Sequence, residues 1–222
     1  MTTVGLIGSG RIGGTVARLA VAAGYQVLLS NSRGPDTLTD LATELGPLAR
    51  AATGQEAAGG GELVVVTIPF RAYRSVPPGP LTGKVVIDTC NYYPQRDGQI
   101  PELDGGALTS SELIQRHLPE SAVVKAFNNI YYRHLASLAR RPGAADRSYL
   151  PTAGDDAVAK TAVTAFLGSI GYGAVDAGPL TEGWRQQPGT PVYGAPYGSF
   201  QDPKGSPASA DAIRQALAAA GR

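Results

Sequence analysis

The sequence predicts an α/β fold: a doubly wound, mainly parallel sheet with helices on both faces, followed by a small C-terminal α/β lobe. Three observations carry this. Short contiguous apolar runs alternate with segments of helical spacing, the pattern of βαβ units. Turn-forming residues punctuate the boundaries. The first such boundary holds three glycines spaced as G-x-G-x-x-G.

The elements follow in order. Val4 to Ile7 is an apolar run ending at Gly8 and reads as a buried parallel strand. Ile12 to Ala23 has helical periodicity, with Ile12, Val16, Leu19 and Ala20 on one face, and Gly24 is placed to end it. Gln26 to Ser30 is the second strand, and Asn31 to Gly34 a polar turn. Pro35 opens a helix whose apolar face is Leu38, Leu41 and Leu45, and Gly46 closes it. Ala49 to Ala52 is a weak strand pattern. Glu62 to Ile68 is a strong one, because Val64, Val65 and Val66 are contiguous and β-branched. Lys84 to Thr89 and Ala122 to Phe127 read as further strands, with a helix at Ser110 to His117 between them. Arg140 to Arg147 is a polar junction containing Pro142 and Gly143, so a division into residues 1–140 and 141–222 is expected. Beyond it, Ser148 to Thr152 and Gly173 to Asp176 read as strands around a helix at Asp155 to Ile170. The stretch from Gln186 to Ala208 reads as loop, and Ala208 to Ala219 as a terminal helix.

Composition narrows the function. A formal net charge of +1 gives no electrostatic argument for nucleic acid or an anionic membrane. The apolar stretch from Val4 to Gly24 is interrupted by Arg11 and Arg18 and its glycines are spaced for a turn, so neither a signal peptide nor a membrane span is expected. One cysteine, Cys90, forbids an intramolecular disulfide and fits a reducing, cytoplasmic setting. Two distant histidines and one cysteine do not make a zinc site of ordinary spacing, and no metal is expected.

Gly8-Ser9-Gly10-Arg11-Ile12-Gly13 follows a strand and opens a helix. In that context each glycine has a physical reason: a tight turn at Gly8, close approach of backbone to a pyrophosphate at Gly10, and close helix–strand packing at Gly13. The helix N-terminus offers unpaired N–H groups and a dipole that favours phosphate. This is the Rossmann arrangement for binding a dinucleotide. The second strand selects which one. An NAD site carries a carboxylate there for the ribose 2′-hydroxyl. Here the stretch is Ser30-Asn31-Ser32-Arg33, with no carboxylate until Asp36. Ser32 and Arg33 can instead donate to a 2′-phosphate, which favours NADP(H).

Three later loops follow strands and so face the ligand crevice. They are Thr67-Ile68-Pro69-Phe70, Thr89-Cys90-Asn91-Tyr92-Tyr93-Pro94 and Ala126-Phe127-Asn128-Asn129. Their small, apolar and amide side chains suit a flat, neutral ring. Tyr92, Tyr131 and His134 are the weak candidates for proton transfer, whereas Lys125 lies within a strand, with a side chain directed away from the crevice, and His117 ends a helix at the surface.

The segments GLIGSGRIGG, LLSNSRGPDTL, LVVVTIPF, KVVIDTCNYYPQRDG, VVKAFNNI, LPTAGDD and VDAGPL together resemble the F420-dependent NADP reductase family, in its short bacterial members. The resemblance spans most of Val4 to Leu180. It implies hydride transfer between NADP(H) and the deazaflavin coenzyme F420, a Rossmann domain with a small C-terminal lobe, and a cytoplasmic homodimer. By matched motif it implies that Ser9, Gly10, Arg11 and Ile12 contact the pyrophosphate, that Ser32 and Arg33 hold the 2′-phosphate, and that Thr67, Ile68 and Pro69 line the nicotinamide. The alternatives are an NADPH-dependent reductase of a flavin, quinone, imine or carbonyl compound, and a non-enzymatic NADP(H)-sensing module.

Overall fold

The structure, a computed structural model, describes residues 2–221. Eight strands form one sheet: β1 (Thr3–Ile7), β2 (Gln26–Ser30), β3 (Ala49–Ala51), β4 (Leu63–Val66), β5 (Val85–Asp88), β6 (Ala122–Lys125), β7 (Tyr149–Gly154) and β8 (Gly173–Asp176). Their spatial order is β3-β2-β1-β4-β5-β6-β7-β8. All neighbours are parallel except β6 and β7, which run antiparallel through Val124 opposite Gly154 and Lys125 opposite Ala153. The C-terminal segment therefore continues the sheet of the first 140 residues.

Helices cover both faces, as a sheet made of contiguous apolar runs requires. The first four are α1 (Arg11–Ala22), α2 (Thr39–Leu45), α3 (Gly54–Gly60) and the short α4 (Pro94–Asp97). They are followed by α5 (Pro101–Asp104), α6 (Ser110–His117), α7 (Tyr132–Ser137), α8 (Ala157–Ser169) and α9 (Ala210–Ala218). The side-chain period of two splits each strand between two cores. Val4, Leu6, Val65, Ile87 and Val124 pack with Val16 and Ala20 of α1, Val163 and Phe166 of α8, and Ile213 of α9. Val64, Val66, Val86 and Val123 pack with Ala58 of α3, and with Leu113 and Ile114 of α6, on the other side.

Several boundaries move from the sequence expectation. The helix expected from Pro35 opens as a 3-10 turn, Pro35–Leu38, before α2 begins. The fourth strand stops at Val66 and the sixth at Lys125, so Thr67 and Phe127 belong to loops. Helix α3 is absent from the sequence reading because three of its seven residues are glycine. Its signal was the capping box: Thr53 Oγ1 accepts from the Glu56 N–H at 3.1 Å, and Glu56 Oε2 accepts from the Thr53 N–H at 2.7 Å. The helix lies so close to β1 that a Cβ on Gly5 would sit 2.0 Å from the Ala57 carbonyl oxygen. His117, expected at the surface, is half-buried, with Nε2 2.8 Å from the Val76 carbonyl and its ring edge-on to Tyr73.

One buried ion pair fixes how the central strands end. Lys125 and Asp88 have side chains with no solvent exposure and meet at 3.3 Å. Asp88 Oδ1 accepts from the Cys90 N–H at 2.7 Å, and Oδ2 accepts from Ser111 Oγ at 2.6 Å. Lys125 Nζ donates to the Cys90 carbonyl at 3.0 Å and also lies near Ser110 and Ser111 of α6. The ammonium thus points away from the α1 side of the sheet, as the strand period predicts. Both polar groups of the Cys90 backbone are held by one charge pair, which locks the chain between Thr89 and Asn91. Burial and the Asp88 charge push the Cys90 thiol well above its ordinary range, so it is no nucleophile.

Removing one partner would strand the other charge in a dry interior. Lys125→Met is expected to lower the unfolding free energy in urea by about 3–5 kcal/mol. A loss below about 1 kcal/mol, the worth of an exposed pair, would show that the two groups are solvated rather than buried together.

Candidate dinucleotide and substrate cleft

The strand order reverses direction between β1 and β4, because the chain leaves β1 towards β2 and later returns to the far side. Ligands of open α/β sheets occupy the crevice that this reversal opens beyond the strand ends. Gly8 begins the turn there with φ +106°, a left-handed conformation that a side chain would strain. A Cβ at Gly8 would also lie 2.2 Å from the Thr67 carbonyl oxygen, and one at Gly13 would lie 2.7 Å from Thr67 Cγ2. These two glycines let α1, β1 and the loop after β4 close on one another. Gly10 differs: a Cβ there meets nothing within 4 Å. The space over Gly10 is open, as the approach of a ligand to the backbone requires.

Hydrogen bonds hold the turn to β2. The Gly8 N–H and the Ser9 hydroxyl both donate to the Ser30 carbonyl at 3.0 Å, and Ser30 Oγ donates to the Leu6 carbonyl at 2.7 Å. Beyond β2, Asn31 Oδ1 accepts from the Arg33 N–H at 2.8 Å, and its amide donates to Thr37 Oγ1 at 2.9 Å. Asn31 therefore shapes the loop that presents Ser32 and Arg33, both exposed. The Thr67 N–H donates to the Ile7 carbonyl at 2.9 Å, which aligns the ends of β1 and β4; Thr67 and Ile68 are half-buried and Pro69 exposed.

A cleft of about 580 Å³ lies at the ends of β1, β5 and β6. It brings together Arg11, Ile12, Asn91, Asn128 and Tyr131 from the residues expected at the site. Asn91 Nδ2 donates to the Asn128 carbonyl at 2.7 Å, and Asn128 Nδ2 donates to Asn91 Oδ1 at 3.0 Å and to the Gln186 carbonyl at 2.6 Å. Asn128 is buried, and its Oδ1 has no hydrogen-bond partner among the described residues. Phe127, just before it, has φ +62°, an uncommon conformation for a side-chain-bearing residue. The strand end is thus held out of its relaxed geometry at the cleft, where strain is often found.

The other two acid–base candidates do not reach the cleft surface, although the His134 ring packs against Tyr131 and Phe200. The Tyr92 hydroxyl is engaged by Asp104 Oδ1 at 2.8 Å and by the Ile100 N–H at 3.0 Å, and its ring packs edge-on to Phe70 in the core on the α6 side. His134 has no solvent exposure. Its Nε2 lies 2.7 Å from the Asp202 carbonyl, which can only accept, so Nε2 carries the proton and Nδ1 is left without a partner. Neither side chain lines the cleft; Tyr131 does.

Tyr93 lies in a loop that the sequence places at the crevice, whereas Arg96, Tyr193 and Phe200 had no signal in the sequence. Tyr93 and Arg96 stack at 4.8 Å, and Tyr93 meets Tyr193 hydroxyl to hydroxyl at 2.6 Å. Burial, with the bond to Tyr93, raises the Tyr193 phenol. Phe200 packs against Tyr131 at 5.4 Å between ring centres. Tyr193 and Phe200 come from the Gly- and Pro-rich stretch that reads only as loop. Asn129 anchors that stretch, donating to the Val192 carbonyl at 3.0 Å and accepting from the Gly194 N–H at 2.9 Å. Among the described residues, no Asp, Glu, His or Lys lines the cleft. Among the described residues there is no cluster suited to a metal ion, and no helix is long and apolar enough to cross a membrane.

Comparison with known proteins bears on the fold and on the N-terminal part of the chain. No curated protein matches the chain in sequence. A hypothetical protein from Sinorhizobium meliloti is similar over 86% of this chain and 93% of its own, at 29% identity and a TM-score of 0.74. A candidate F420-dependent NADP reductase from Arthrobacter sp. FB24 is similar over 82% and 87%, at 26% identity and a TM-score of 0.68. The pyrroline carboxylate reductase of Plasmodium falciparum, solved with NADP bound, shares the fold at 13% identity, with 79% and 57% covered and a TM-score of 0.54. Residues 3–92 match the family described as NADP oxidoreductase, coenzyme F420-dependent. That match takes in the glycine turn, β2 and the strands that follow, and together with the Arthrobacter structure it indicates an NADP-dependent oxidoreductase similar over this part to the F420-dependent family.

Proposed function

We propose that the protein transfers a hydride between NADP(H) and the deazaflavin coenzyme F420. The observation that carries this reading is the cleft at the ends of β1, β5 and β6. It takes in Arg11 and Ile12 from the glycine turn and is walled chiefly by tyrosines and amides, without a carboxylate, histidine or lysine among the described residues. Transfer between two flat rings asks chiefly for proximity and orientation, and such walls supply both. NADPH would bring the hydride. Gly8, Ser9, Gly10, Arg11, Ile12 and Gly13 would hold its pyrophosphate, and Asn31, Ser32 and Arg33 its 2′-phosphate. Thr67, Ile68, Pro69, Asn91 and Asn128 would frame the nicotinamide. Residues 1–140 would form the dinucleotide part and residues 141–222 would complete the cleft through Tyr193 and Phe200. The family resemblance adds a cytoplasmic homodimer, which light scattering would test.

A second reading, reduction of an imine or carbonyl compound, is favoured by the phenol of Tyr131 in the cleft, since such substrates need a proton donor. An absorbance assay separates the two. NADPH with oxidised F420 is expected to bleach the deazaflavin, and NADH is not; Tyr131→Phe should leave that rate within a few-fold. Bleaching by neither nucleotide, with NADPH still bound, would remove the F420 assignment.

Two substitutions test the dinucleotide site. Arg33→Ala is expected to weaken NADPH binding about ten- to a hundredfold, the worth of one or two charge-assisted hydrogen bonds, and to leave NADH nearly unchanged. Equal weakening of both nucleotides would take Arg33 off the 2′-phosphate. Gly10→Val is expected to keep the melting temperature, because its side chain meets open space, while abolishing NADPH binding by fluorescence titration. Retained affinity would mean that the pyrophosphate lies elsewhere.

A further inference from the structure

The reaction proposed above moves a proton as well as a hydride. The C4–H bond of NADPH breaks with its electron pair, a C–H bond forms on the acceptor ring, and NADP+ is left. The arriving pair puts a negative charge on a nitrogen of the acceptor ring, and a proton cancels it by forming an N–H bond. That proton comes from the cleft or from water. Among the described residues no Asp, Glu, His or Lys lines the cleft, and its arginines hold their protons, so its acids are the four phenols Tyr93, Tyr131, Tyr132 and Tyr193.

Two of these phenols form a pair drawn from distant parts of the chain. The hydroxyls of Tyr93, in the loop after β5, and Tyr193, in the C-terminal stretch, meet at 2.6 Å, and both residues are half-buried. Burial and the bond to Tyr93 raise the Tyr193 phenol, so Tyr193 keeps its hydrogen and donates it to Tyr93. The hydrogen of Tyr93 then faces no acceptor among the described residues and is left for the cleft. Tyr93 is held elsewhere as well. Its N–H donates to Asp97 Oδ2 at 2.9 Å. The Arg96 guanidinium, bonded to Asp97 at 2.8 Å and to the Asn91 carbonyl at 2.7 Å, lies 4.8 Å from the centre of its ring. Tyr193 is fixed in turn, because its N–H donates to the Thr190 carbonyl at 3.0 Å and the next N–H donates to the Asn129 carbonyl at 2.9 Å. Tyr132 differs: its oxygen accepts from Nε of the exposed Arg133 at 3.1 Å, so an exposed side chain holds it rather than the cleft.

The geometry points to Tyr93 as the donor of the proton that accompanies the hydride, with Tyr193 and Arg96 as its positioning residues. The inference rests on the hydride transfer proposed above. In the step, the Tyr93 O–H bond breaks as the N–H bond forms on the acceptor. The phenolate left behind accepts the hydroxyl of Tyr193, and water entering the cleft returns the proton between turnovers. A phenol fixed at its backbone, ring and oxygen gives up its proton without first having to be brought into place.

The test follows single turnovers of NADPH with oxidised F420, in H2O and in D2O, for the wild type, Tyr93→Phe and Tyr193→Phe. Melting temperatures and the affinities for NADP+ and F420 are measured alongside. Tyr93→Phe keeps the ring and loses only the hydroxyl. It is expected to slow the step about a hundredfold, the lower end of what a general acid contributes, with both affinities within a few-fold. The wild type should run slower in D2O and Tyr93→Phe should lose that difference, a change that a merely structural hydroxyl would not produce. Tyr193→Phe should be about tenfold slower, the value of one hydrogen bond, and keep the D2O effect. An unchanged rate and D2O effect in Tyr93→Phe would overturn the proposal and leave the hydride transfer standing. If Tyr93→Phe does not fold, a Tyr193→Phe rate equal to that of the wild type would overturn it. A fall in F420 affinity as large as the fall in rate would also do so, by making Tyr93 a binding residue only. A wild type that bleaches no F420 would sink the hydride transfer and this inference together.

Discussion

Everything at the site hangs on the parallel pairing of β1 with both β2 and β4. Parallel neighbours bring three strand ends to one edge of the sheet, and the chain departs from β1 and β4 towards opposite faces. A crevice must form where those paths diverge. Its width is set by how closely α1 can approach the loop after β4. Gly8 and Gly13 decide that distance, since a side chain on either would strike Thr67 or its neighbouring backbone. Larger residues would push α1 off the sheet and remove the glycine turn.

A second constraint acts further along the same edge. The Asp88–Lys125 pair is expensive to bury and is offset only because every strong bond it can make is made. What it holds is the Cys90 peptide, and through it Thr89 and Asn91. Asn91 in turn exchanges hydrogen bonds with Asn128, whose position depends on the uncommon backbone of Phe127. The cleft wall is therefore a chain of fixed contacts running from one core across the sheet edge to the other. Such a wall suits a reaction that needs two rings held in register more than it needs a mobile acid or base.

The C-terminal segment completes the arrangement without a strong pattern of its own. β7 adds antiparallel to β6, so residues beyond 140 extend the sheet and their helices join the core beside α1. The loop after them folds back along Asn129 and delivers Tyr193 and Phe200 to the cleft.

The sequence by itself determined the parallel α/β core and the glycine turn. Contiguous apolar strands of period two, helices of period near four, and three glycines at fixed spacing are local statements, and local physics enforces them. It also excluded a carboxylate at the end of β2, which is a matter of which residue stands there. Only the tertiary structure decided the rest. Helix α3 exists because its small residues fit against Gly5, a packing fact that its low propensity concealed. Tyr92 and Tyr131 look alike along the chain, yet Asp104 and the core on the α6 side hold one while the cleft receives the other. Tyr93 and Tyr193 stand a hundred residues apart and meet because the loop carrying Tyr193 folds back along Asn129. Contacts between distant residues carry no periodic signature, since they depend on how whole elements pack rather than on how neighbours along the chain repeat.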